Sequence, residues 1–242
     1  MGLDKLNYEF NLSEFDKENL VVMLHGFFSS KESKTYIDLQ KDFDSLKISS
    51  VRFDFFGHNS YKANISEITI TKCVSQVNNL IDLFKKKGFK NIILFGCSFG
   101  GQIGYIVSSQ RDDISRLILK CPVFSYTDKL NSQRDIKYWK KTGVISNYDN
   151  VAGRSLNYSF YEDSLKYDFE SLVKKISCKT FIVHGTYDEC VNYNQSVKAE
   201  SLIKDCRLVL ISNENHNFSN KIESYDLVKD LLVREVKLFV NK

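Results

Sequence analysis

Proline is almost missing: Pro122 is the single one in 242 residues, where average usage of about 5% would supply about a dozen. With many Lys, Asn, Ile, Phe and Tyr residues, this points to an AT-rich coding genome rather than to a function. No apolar run reaches the ~18 residues of a membrane span, which excludes such a span and leads to the expectation of a soluble, cytoplasmic protein. The start, Met1-Gly2-Leu3-Asp4-Lys5-Leu6, is too acidic and polar for a secretory signal, and it lacks the hydroxyl at position six that myristoylation needs. Charge is weakly one-sided, with 34 basic against 30 acidic residues. The densest basic cluster, Lys85-Lys86-Lys87, stands before Gly88 and reads as a solvated helix end, so no nucleic-acid partner is expected. The six cysteines (Cys73, Cys97, Cys121, Cys178, Cys190, Cys206) form no C-x-x-C pair and no zinc spacing with histidine. Several sit in apolar strands or helix faces, which suits small buried thiols in a reducing compartment, with neither a disulfide framework nor a metal site.

What is present is an alternation. Apolar runs at Leu20–Leu24, Ile48–Phe53, Asn91–Phe95, Arg116–Cys121, Thr180–Val183 and Arg207–Ile211 read as strands, most of them continuous enough to be covered on both faces. Helices are expected over about 32–46, 99–109, 193–203 and 225–240, and on the face formed by Ile70, Val74, Val77, Ile81 and Phe84. Residues 5–19 hold one or two short strands at most. The pattern implies βαβ units and a mostly parallel sheet with helices on both faces. Between Pro122 and Ser177 the alternation stops, and that length calls for an inserted cap with helices of its own. The expected organisation is one core built from 1–121 and 178–242, with a cap at 122–177.

Right-handed crossovers put the strand C-terminal ends on one edge of the sheet, where sites form. Gly96-Cys97-Ser98-Phe99-Gly100-Gly101 follows a strand and precedes a helix, and it reads G-x-S-x-G. Such a turn can hold a serine hydroxyl above the sheet; a Gly-rich loop before a helix is the plain alternative. A nucleophilic serine needs a base, and the base needs an acid. Of the four histidines, only His216 leaves room for an acid before it and after the serine, past another strand end. Asp188 fills that place, with neighbouring Glu189 as rival. Oxyanion donors are expected at the Phe99 N–H and in the loop His25-Gly26-Phe27-Phe28, where Phe27 N–H is the candidate. His25 is expected to hold that loop by hydrogen bonding.

Five features together resemble the α/β-hydrolase superfamily: His25-Gly26-Phe27, the turn from Asp54 to Ser60, the serine hexapeptide, His184-Gly185-Thr186-Tyr187-Asp188 and His216-Asn217-Phe218. The likeness runs from about Leu20 to Lys242, nearest to small serine esterases of the feruloyl/cinnamoyl esterase and monoacylglycerol lipase type. It implies an α/β-hydrolase fold, Ser98 as nucleophile, Asp188 as acid, His216 as general base, and oxyanion donors at Phe27 and Phe99. It implies no cofactor. Three positions depart from the pattern. Asn59 stands where the turn has its second glycine, and asparagine is the next best residue for a left-handed backbone. Position 97 is cysteine where histidine or leucine is commoner, and it is expected to pack beneath the turn. The short stretch before the first buried strand implies a sheet lacking one edge strand.

These features lead to a serine hydrolase that cleaves carboxylic esters of small or aromatic acyl groups through an acyl-serine intermediate. Phe28, Tyr126, Trp139 and Tyr187 are the candidate substrate contacts. The expected partner is a small-molecule ester, in a monomer or homodimer. A thioesterase or aminoacyl peptidase on the same three residues is an alternative, since the leaving group is chosen by the cap. A non-catalytic binding protein of the same fold is another. A dehalogenase is excluded, because its nucleophile would be a carboxylate and position 98 is serine.

Overall fold

Strand β4 (Asn91–Cys97) shows how the sheet is built. Ile92 and Leu94 enter one apolar core and Ile93 and Phe95 the other, so a continuous apolar run buries both of its faces. The computed structural model describes residues 10–15, 17–59, 64–148 and 154–240, with the backbone alone at 129, 132 and 133. Ser60, which ends the turn singled out above, lies outside these residues, as do Met1 to Leu6. The central sheet has seven strands in the order β1 (Phe10–Ser13), β3 (Ser49–Phe53), β2 (Asn19–Leu24), β4, β5 (Ile114–Lys120), β8 (Lys179–Gly185), β9 (Cys206–Ile211). Only β1 runs antiparallel, against β3. Among the described residues this one short strand forms that edge.

Helices α1 (Lys34–Ser45) and α9 (Ser224–Val240) cover one face through Tyr36, Leu39, Phe43, Val228, Leu232 and Val236. On the other face lie α2 (Ile70–Lys86), α3 (Phe99–Gln110) and α8 (Asn194–Leu202). All five residues of the face read for α2 are buried. Its first turn is capped by Thr69 Oγ1, which accepts from Lys72 N at 3.1 Å. Lys85 and Lys86 close its last turn, and Gly88 follows at φ +105°.

From β2 the chain crosses to β3 on one side, then returns past β2 to β4 on the other. The loops after β2 and β4 therefore flank a switch point, where a crevice opens at the strand ends. Between β5 and β8 lie α4 (Tyr126–Gln133), α5 (Ile136–Thr142), the antiparallel ribbon of β6 (Val144–Ile145) and β7 (Leu156–Asn157), α6 (Ser159–Ser164) and α7 (Phe169–Val173). Asp163 of α6 docks this segment on the core. Its carboxylate accepts from Thr71 N at 2.7 Å and Thr71 Oγ1 at 2.8 Å, at the first turn of α2 where amides lack helical acceptors. Among the described residues no helix is long and apolar enough to cross a membrane.

Candidate active site

Ser98 sits at φ 52°, ψ −114° between β4 and α3. A non-glycine residue there costs on the order of 1–3 kcal/mol and persists only where its surroundings over-determine it. Here they do. Ser98 N–H donates to Lys120 O at 3.0 Å, and Ser98 O accepts from Gly101 N at 3.0 Å and Val123 N at 3.1 Å. Two glycines make the turn possible by close approach. A Cβ at Gly96 would lie 2.6 Å from Gly100 O, and one at Gly100 would lie 2.0 Å from Leu24 O.

Asp188 follows β8 with its side chain fully buried, while Glu189 beside it is exposed. One carboxylate oxygen, Oδ1, accepts from Cys190 N at 2.8 Å and Val191 N at 2.7 Å. The other, Oδ2, faces His216 Nδ1 at 2.6 Å and His184 Nε2 at 3.0 Å. Burial pushes the Asp188 pKa up, but the hydrogen bonds from His184 and His216 outweigh it and hold this carboxyl well below the usual range. An ionised Asp188 only accepts, so His216 carries its proton on Nδ1 and leaves the Nε2 lone pair for a base. His184 is fixed the same way. Its Nε2–H also donates to Val191 O at 2.9 Å, and its Nδ1 accepts from Ser196 Oγ at 2.7 Å.

The loop after β2 comes against the serine. A Cβ built at Gly26 would lie 3.5 Å from Ser98 Cβ and 4.0 Å from Ser98 Oγ. His25 holds this loop as expected: Nδ1–H donates to Gly26 O at 2.8 Å, and Nε2 accepts from Phe55 N at 3.0 Å. His58 does the same from the next loop, with Nε2 accepting from Phe28 N at 3.0 Å, which keeps Phe28 at φ +55°. Chain order passes over His58 because it precedes Ser98; its place just past a strand end is the signal that could have found it. Asn59 has the left-handed φ, +34°, expected of it. Phe99 opens α3, so its N–H has no acceptor within the helix.

Of the candidate substrate contacts, Phe28 and Tyr126 gather around Phe27. Their ring centroids lie 4.5 and 5.6 Å from it, alongside Phe99, Tyr148 and Phe160. Phe28 also lines a cavity of about 530 Å³ with His58, Ile65 and Arg154. Trp139 and Tyr187 do not join them. Trp139 is buried inside the inserted segment and donates Nε1–H to Leu156 O at 3.1 Å, and Tyr187 is 66% exposed. Asp188 and His216 also stand near Cys190, and Asp188 and His184 near Cys121, in two sets that could hold a metal ion. Both Asp188 oxygens and both His184 nitrogens already have hydrogen-bond partners, so both sets read as hydrogen-bonded clusters.

The architecture has known counterparts. Est1E from Butyrivibrio proteoclasticus, solved with ferulic acid bound, superposes with TM-score 0.87 at 22% identity, covering 97% of this chain and 96% of that one. Mouse α/β-hydrolase domain-containing protein 10 gives 0.83 at 18% identity, covering 98% and 97%. In sequence, the rat mitochondrial palmitoyl-protein thioesterase ABHD10 is 20% identical over 219 residues, 86% of this chain and 72% of that protein. A family model described as "Uncharacterised protein family (UPF0227)" matches residues 20–233. The chain belongs to the UPF0227 family, and its fold is that of the α/β-hydrolases.

Proposed function

We propose that the protein is a serine hydrolase that cleaves carboxylic esters through an acyl-Ser98 intermediate. The observation that carries this reading is the 2.6 Å contact from His216 to the ionised Asp188, at the same sheet edge as a serine on a strained elbow. Ser98 Oγ attacks the ester carbonyl while His216 Nε2 takes its proton, and Asp188 stabilises the imidazolium. The Phe27 and Phe99 N–H groups hold the oxyanion, each worth about 10²–10³ in rate. His216 then returns the proton to the alcohol as the C–O bond breaks, and a water activated by His216 releases the acid. The segment 122–177 acts as the cap, and the rings of Phe28, Tyr126 and Tyr148 around Phe27 favour a small or aromatic acyl group. Six free cysteines fit the reducing cytoplasm.

A thioesterase is the second reading, favoured by the rat relative named a palmitoyl-protein thioesterase. Matched oxygen esters and thioesters of one acyl group separate the two by kcat/KM. For the shared chemistry, a fluorophosphonate probe should label Ser98, and Ser98→Ala should lose both labelling and about 10⁶ in turnover. Labelling elsewhere, or undiminished labelling of Ser98→Ala, would sink the proposal.

A further inference from the structure

Lys120, the last residue of β5, is a lysine only 4% exposed. Lysines are almost never buried without a partner, and the proposed chemistry does not use this one. Its ammonium donates to the backbone carbonyl of His216 at 2.9 Å and stands 5.0 Å over the Phe218 ring. The Cys97 thiol lies 4.0 Å away, on the residue paired with Lys120 in the sheet. At its other end, the carbonyl of Lys120 accepts the Ser98 N–H at 3.0 Å. One residue therefore grips the nucleophile by its main chain and the base by its side chain.

We propose that Lys120 is a positioning residue for the general base, tying the His216 loop to the nucleophile elbow. The inference rests on the assignment of Ser98 and His216 above. His216 lies in a loop with two left-handed non-glycine residues, Asn213 at φ 62° and Phe218 at φ 56°. Such a loop needs an external anchor, and the ammonium supplies one at the residue that matters. Cys97 is small enough to leave room beneath the elbow for this cation. The titratable groups facing Lys120 are the Cys97 and Cys121 thiols, the Asp188 carboxyl and the Tyr225 phenol; burial lowers its pKa, but these groups raise it further, and the lysine stays charged. Those facing His216 are Asp188, Cys190, Lys120 and Cys121, whose Sγ lies 3.7 Å from the His216 carbonyl. Lys120 thus holds the backbone of the His216 loop and, through it, aims the ring.

The test uses the intact protein. Lys120→Met should lower kcat on a soluble ester about 10²-fold, the usual cost of misplacing a catalytic group, with KM within about threefold. Lys120→Gln, which keeps an N–H donor, should recover at least about tenfold of that loss. In Lys120→Met, backbone hydrogen exchange should rise over 213–218, the loop that loses its anchor, and stay unchanged in α2. A Met variant with kcat within threefold of the parent, or a loss confined to KM, would overturn the proposal. So would unaltered exchange over 213–218 in that variant. Should the Met variant fail to fold, Lys120→Ala carries the same kcat and exchange readouts. A parent protein that hydrolyses no ester would sink the functional reading, while the exchange arm would still judge Lys120.

Discussion

His25 and His58 touch no reacting atom in the proposed chemistry, yet they hold the backbone of the loop proposed to supply an oxyanion donor. They can do so only when neutral, because each ring uses one nitrogen to accept a backbone N–H. Burial and then the neighbouring His58 hold the His25 pKa down to about 3, and burial holds His58 at about 4. In the unfolded chain both return towards 6.5. Between about pH 6.5 and 4 the unfolded chain therefore binds protons that the folded chain refuses, and stability falls as pH falls. Each histidine contributes a slope of roughly 1.4 kcal/mol per pH unit in that window. Urea unfolding at pH 7, 6 and 5 should show a steadily falling midpoint; a midpoint flat over that range would contradict the neutral pair. At this scale the proposed serine, acid and base are legible because each follows a strand end in one chain order. His58 is legible only by its place past a strand end, and Lys120 is not, because the contacts that single it out are with partners far away in the chain.

Among the elements, α2 is the easiest to read and the inserted segment the hardest. The five-residue apolar face of α2 repeats at helical spacing, and its cap and closing lysines sit where helix ends favour them. The inserted segment has two-residue strands and helices as short as five residues, too brief for any period to emerge. β4 also runs two residues beyond the expected Phe95, because Gly96 and Cys97 pair with Leu119 and Lys120 of β5. Docking of the segment rests in part on Asp163. Replacing it with alanine strips two hydrogen bonds from the first turn of α2 and should cost about 1–2 kcal/mol, the upper range for a lost helix cap. Hydrogen exchange should rise in 159–164 and 69–73 and stay unchanged in β4. Protection unaltered in both segments would show that the aromatic contacts alone hold the insert.

For the whole molecule, the cysteines offer a direct check on the packing. All six are free; Cys73, Cys121 and Cys178 are buried, Cys97 and Cys206 are half-buried, and Cys190 is exposed. Ellman's reagent should titrate one thiol quickly in the native protein and all six in urea, and reductant should leave Tm unchanged. A Tm that falls on reduction would reveal a disulfide. The elements of the inserted segment are not legible in the amino-acid sequence alone, whereas the order of the core strands and helices, the sheet class, the crowded sheet edge and the residues placed on it are. They depend on periodicity and on residues close together in the chain. What those residues touch is settled by tertiary packing: His184 as a second donor to Asp188, Trp139 turned into the insert, and Lys120 joining the Ser98 turn to the His216 loop. Such contacts span strands distant in sequence, and their geometry is set by sheet register and core packing, which local pattern does not encode.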